Sequence, residues 1–82
     1  MTMLAFAEDT ALTRFGVAMT QLHDELWRVT RPGGEVVGYI ERFTVRDGLR
    51  YRAKRMLVRQ RRFVAIGEFW SVDDALECLR GY

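Results

Sequence analysis

The stretch RFTVRDGLRYRAKRMLVRQRR, residues 42–62, decides how the chain is read. Arg46-Asp47-Gly48 separates two runs of strand-forming residues, and Asp-Gly is a pair that supplies left-handed turn positions. Beyond it, LRYRAKRML (residues 49–57) alternates. Successive side chains of a strand point to opposite faces, so Arg50, Arg52 and Lys54 share one face and Leu49, Tyr51, Ala53 and Leu57 the other. Arg55 and Met56 break the alternation, and a bulge there or an early strand end would repair it. The stretch holds nine of the thirteen basic residues, Arg42, Arg46, Arg50, Arg52, Lys54, Arg55, Arg59, Arg61 and Arg62, against one acid, Asp47, a net charge of +8. The rest of the chain has four basic and ten acidic residues, a net of −6. Charge polarised this strongly marks a surface for a polyanion, with nucleic acid first in line.

Working outward, residues 58–61 make a turn without Gly or Pro, and RFVAIGEF (residues 62–69) returns as a further strand. On the other side, LWRVT (residues 26–30) and VVGYIERF (residues 36–43) flank Arg31-Pro32-Gly33-Gly34. That spacing predicts a type II turn with positive φ at Gly33. Short connections make these strands an antiparallel meander. At the C-terminal end Ser71 is a helix cap, Asp73 and Asp74 suit the positive helix N-terminus, and Ala75, Leu76 and Leu79 form an apolar stripe that Gly81 ends. At the other end Leu12, Phe15, Met19, Leu22 and Leu26 are spaced by steps of three and four residues. This periodicity predicts an amphipathic helix over residues 9–25, capped by Asp9 or Thr10, in which Gly16 costs about 1 kcal/mol. Leu4 and Phe6 are expected on the core. The fold expected is α+β: an N-terminal helix, an antiparallel meander of three to four strands, and a C-terminal helix packed on one sheet face.

Eighty-two residues, 49% hydrophobic and 29% charged, make a single small folded domain rather than a disordered chain. Cys78 is the only cysteine, which excludes an intrachain disulfide and fits a cytoplasmic setting. No apolar run approaches the roughly 18 residues of a membrane span. The opening MTMLAFAEDT has no basic n-region, so a secretory signal is not expected. The lone histidine, His23, sits beside Asp24 and Glu25, and no Cys/His set has metal-ligand spacing. Gly33-Gly34 is a turn and not a phosphate loop. The chain is therefore expected to be no enzyme, with no cofactor and no metal.

The binding surface is expected on Arg50, Arg52 and Lys54, with Arg59, Arg61 and Arg62 continuing it past the third strand. Arg28 and Arg42 widen the row if the register permits. Trp27, Tyr39, Tyr51, Phe63, Phe69 and Trp70 are core residues by default, whereas Tyr39 or Trp27 on the cationic face would stack on a base. Residues 49–79 run strand, basic turn, a strand ending in Ile66-Gly67-Glu68-Phe69, then Ser71, Asp73, Asp74, Ala75 and Leu79. This order resembles the second half of the plant AP2/ERF DNA-binding domain and the arm-type DNA-binding domain of tyrosine recombinases, although Ala65-Ile66-Gly67 stands where the first has Trp-Leu-Gly. The resemblance implies a three-stranded sheet backed by one helix, whose open face enters the major groove of duplex DNA with Arg50, Arg52 and Lys54 in contact. The alternative expectation is a protein-interaction module, a homodimer or a subunit of a complex, docking through the basic segment or the N-terminal helix. If Arg52 is solvent-exposed, Arg52→Glu is expected to change stability by less than about 0.5 kcal/mol.

Overall fold

The computed structural model describes residues 9–13 and 15–81. Leu4 and Phe6, expected on the core, lie outside the described residues. Six strands and one helix follow in order: β1 (Asp9–Leu12), β2 (Ala18–His23), β3 (Leu26–Thr30), β4 (Val36–Val45), β5 (Gly48–Leu57), β6 (Arg62–Phe69) and α1 (Val72–Arg80). All strands belong to one antiparallel sheet in sequential order, and α1 packs across β4, β5 and β6.

The expected N-terminal helix is therefore corrected: Asp9–Leu12 and Ala18–His23 pair as the β1–β2 hairpin, and among the described residues the sheet has six strands rather than three or four. Gly16 lies at φ +78°, which no helical residue adopts. Around it Thr13 N donates to Val17 O at 2.8 Å and Gly16 N donates to Thr13 O at 3.2 Å, closing a turn. Thr10, Thr13, Val17 and Thr20 are β-branched and stiff, a composition that fits a pleated surface better than a helix. The three-four spacing is coincidental. Met19 packs on the core, but Leu12 is 76% exposed and Leu22 41% exposed. Thr20 is buried, and its hydroxyl pairs with that of Thr10 across the strands at 2.9 Å. The hairpin also covers the edge that β3 would otherwise expose.

The turns differ in detail from the expectation. In the β3–β4 turn Gly34 N donates to Arg31 O and Arg31 N to Glu35 O, both at 2.8 Å, and the positive φ falls on Gly34, one residue later than a type II turn requires. This is a three-residue hairpin loop with its left-handed residue last. In the β4–β5 turn only Gly48, at φ +136°, has a positive φ, and Asp47 does not. The β5–β6 loop closes with Arg61 N donating to Val58 O at 3.2 Å and with Arg61 itself at φ +53°. No bulge interrupts β5 at Arg55 and Met56. The pairing shifts instead opposite Ala53 and Lys54, where β6 carries the extra residue Ile66 between Ala65 and Gly67.

The core lies between α1 and one sheet face. Leu76, Leu79 and Ala75 of the helix meet Val29, Ile40, Val37 and Ala53 of the sheet, with Tyr51, Ile66 and Phe69 packed at the margin. Gly38 makes this approach possible. A Cβ there would stand 2.7 Å from Leu79 Cδ2 and 2.5 Å from the Lys54 carbonyl oxygen, so only a glycine lets α1 sit this close. The helix begins as expected: Asp74 N donates to Ser71 Oγ at 3.1 Å, and Asp73 and Asp74 occupy its first turn.

Candidate nucleic-acid interface

Because α1 covers one face of β4–β6, register decides what the other face presents. Tyr39 pairs with Lys54, Glu41 with Arg52 and Phe43 with Arg50 across β4–β5, while Arg52 pairs with Glu68, Lys54 with Ala65 and Met56 with Phe63 across β5–β6. Residues paired across a ladder share a face, and alternate residues of each strand share it too. The face opposite α1 thus carries Arg50, Arg52 and Lys54 together with Tyr39, Phe43 and Phe63. Arg28 joins them through its pairing with Tyr39.

These cations are not a bare row. Arg52 donates from Nε to Glu68 Oε2 and from a terminal nitrogen to Glu41 Oε1, each at 3.0 Å. Lys54 Nζ lies 3.5 Å from the same Glu41 oxygen. The hydrogen bond to Glu68 raises the Arg52 guanidinium above its usual value, and Glu41 adds to the effect. Arg50 donates to the Glu68 carbonyl at 2.8 Å, and its Nε is buried without a hydrogen-bond partner among the described residues.

Every member of the row also lies over an aromatic ring. The Arg50 guanidinium is 4.3 Å from the Trp70 centroid and that of Arg52 is 4.3 Å from Phe43, while Lys54 Nζ is 5.5 Å from Phe63. Tyr39 meets Phe63 edge-on at 5.1 Å. Such pairs hold a flexible cation in place over a ring. Phe63 and Trp70 nevertheless remain 45% and 57% exposed, so two of the residues expected in the core are on the surface. Of the two rings considered for stacking, Tyr39 is on the cationic face and Trp27 is not, because Trp27 pairs with Ile40 on the helix side.

Arg42 does not extend the row. It pairs with Tyr51 and so faces the helix side, where it donates to Glu25 Oε1 at 2.7 Å and to the Asp24 carbonyl at 3.1 Å and stands 5.4 Å from the Trp27 ring. Glu25 raises its guanidinium above the usual value. Its placement follows from parity, since Arg42 and Tyr39 are an odd number of residues apart on one strand. The remaining predicted residues gather at the loop end of β5–β6: Arg59, Arg61 and Arg62 are exposed and make no ion pair among the described residues. Arg62, however, pairs with Leu57 and so points to the helix side, opposite to its neighbour Phe63, which leaves Arg59 and Arg61 as the loop cations beside the open face.

Sequence reading missed Glu41, Glu68 and Phe43. For Glu41 and Phe43 the signal was present, since they alternate with Tyr39 in VVGYIERF. Glu68 becomes visible only through the bulge at Ile66, which changes its register against β5. Among the described residues no group of His, Cys, Asp and Glu is arranged to hold a metal ion, and no helix is long and apolar enough to cross a membrane. Set against known proteins, the chain matches no family model, no curated protein and no solved structure.

Proposed function

We propose that this protein is a non-enzymatic nucleic-acid-binding module, with DNA the first candidate, whose contact surface is the open face of β4–β6 together with the β5–β6 loop. The observation that carries this reading is the interleaving of Arg50, Arg52 and Lys54 with aromatic rings on the face opposite α1, which no other element among the described residues covers. Cations neutralise phosphates and rings receive bases, so the two residue types together suit a nucleic acid better than either alone. The exposed Arg59 and Arg61 supply phosphate contacts beside the face. The resemblance of residues 49–79 to sheet-type DNA-binding domains points to the same class of ligand. The single half-buried Cys78 fits a reducing, cytoplasmic setting.

A fluorescence-polarisation titration with labelled single-stranded and duplex DNA at two salt concentrations tests the reading. Affinity falls steeply with salt if phosphate contacts dominate. Folded protein that binds neither probe at low salt would remove the proposal.

A second reading, self-association, draws on the cleft of about 360 Å³ where β4 and β5 splay apart, lined by Val36, Val37, Tyr39, Arg55, Met56 and Val58. Val36, Met56 and Val58 are 47%, 40% and 78% exposed there. Light scattering across a concentration series separates it from the first, because a strict monomer leaves this apolar surface without a second copy.

A further inference from the structure

Resting on the nucleic-acid reading above, we infer that the open face binds an unpaired strand, stacking bases on two aromatic sites rather than entering a duplex groove. The first reason is width. Six strands spaced by about 4.8 Å make a sheet roughly 24 Å across, about twice the width of the major groove. A three-stranded sheet fits such a groove with its face, but β1–β3 extend this one sideways. The ladder is continuous from β1 to β6, so the extra strands are part of the same surface.

The second reason is where the rings are. Tyr39 and Phe63 form one site and Phe43 and Trp70 lie at the other end of the face. Tyr39 and Phe43 are four residues apart on one strand, which sets the sites about 13 Å apart. Unpaired bases can be splayed onto separate aromatic platforms, whereas bases in a duplex present only their edges. The exposure of Phe63 and Trp70 leaves ring surface for a base, and every base has a π-face to offer.

The third reason is the electrostatics between the sites. Arg52 is held between Glu41 and Glu68, and Lys54 also leans on Glu41. Two carboxylates in the middle of the face offset part of its positive charge, so a phosphate rail lying across it is attracted less than one beside the loop. They are compatible with a strand whose bases turn toward the sheet and whose phosphates run outside, toward Arg59 and Arg61. Carboxylates can also accept hydrogen bonds from exocyclic amino groups of unpaired bases.

The test compares short labelled oligodeoxycytidylate and oligocytidylate with a blunt DNA duplex of equal length. Single strands are expected to bind at least about tenfold more tightly than the duplex. Phe63→Leu and Trp70→Leu are each expected to weaken single-strand binding by about fivefold or more, as loss of one stacked base does. Both residues are substantially exposed, and a circular-dichroism melt verifies that each variant folds. In a Trp27→Phe background Trp70 is the sole indole, so stacking is read directly as quenching of its emission on titration with the single strand. Tight binding of either oligonucleotide with quenching supports the inference, and their ratio assigns DNA or RNA as the source. Duplex binding that equals or exceeds single-strand binding, or full affinity in both leucine variants, overturns the stacking inference and leaves the nucleic-acid reading in place. Binding of no probe overturns both.

Discussion

Arg52 Nε donates to Glu68 Oε2 at 3.0 Å across the β5–β6 ladder, so the middle cation of the open face is held by a carboxylate from its neighbouring strand. Glu41 holds it from the other side. The pair is part-exposed, and its contribution to stability is small, about 0–1 kcal/mol. Its effect on binding is larger in proportion, because each carboxylate lowers the positive potential a phosphate meets. Glu68→Gln is expected to change stability by less than about 1 kcal/mol while strengthening oligonucleotide binding severalfold, about 1 kcal/mol at near-surface dielectric. Chemical denaturation and polarisation titration of the same variant check the two halves.

Arg52→Glu behaves differently from what the sequence alone suggests. Taken as a free surface residue, Arg52 tolerates reversal. Placed between Glu41 and Glu68, a glutamate there makes a cluster of three carboxylates and leaves the Phe43 ring without its cation. We expect a loss of about 1–2 kcal/mol, within the usual range for a structurally engaged residue. The loss should shrink in high salt, where like charges are screened. A denaturation midpoint insensitive to salt would contradict this.

Gly38 and Leu79 form the closest approach of helix and sheet. Gly38→Ala is expected to cost about 1–3 kcal/mol, the range for overpacking a well-filled core. Part of the clash is with the Leu79 side chain and part with the Lys54 carbonyl, which cannot move without disturbing the ladder. The double variant Gly38→Ala with Leu79→Ala should therefore recover only some of the loss relative to additivity, as a double-mutant cycle would show.

Arg61 combines backbone strain with a free charge. At φ +53° it is the only non-glycine left-handed residue among those described, a conformation that costs about 1–2 kcal/mol for a residue bearing a Cβ. Arg61→Gly is expected to stabilise the fold by about 0.5–1 kcal/mol, because the strain it relieves exceeds the extra entropy glycine loses on folding. The same change removes a phosphate contact, so affinity should fall and the salt slope flatten by about 0.7–0.9. Opposite signs for stability and binding at one residue separate a functional arginine from one that merely closes the loop.

How far the fold was legible depended on turn chemistry. The pair of runs around Pro32-Gly33-Gly34, the break at Asp47-Gly48 and the alternation through Arg50, Tyr51, Arg52, Ala53 and Lys54 locate β3 through β6. Ser71 and Asp74 locate α1. Residues 9–25 misled because a three-four spacing of large apolar residues fits one helix face, while the same positions in a hairpin leave Leu12 and Leu22 outside. Gly16, central to four β-branched residues, was the contrary signal. The site was half legible. Alternation within one strand gives the cationic row, but the carboxylates that hold it come from β4 and β6, and cross-strand register is fixed by a bulge at Ile66 that no local pattern announces. Arg42 shows the reverse case, where parity within β4 already separates it from Tyr39.

The most direct test of the central claim is a map of backbone amide shifts as a single-stranded oligonucleotide is titrated into isotope-labelled protein. The account predicts perturbations at Tyr39, Glu41, Arg52, Lys54 and Phe63 and through the loop at Arg59 and Arg61, with α1 and the Arg42–Trp27 corner unmoved. Shifts concentrated on α1 or around Trp27 and Arg42, with the open face of β4–β6 silent, would contradict it.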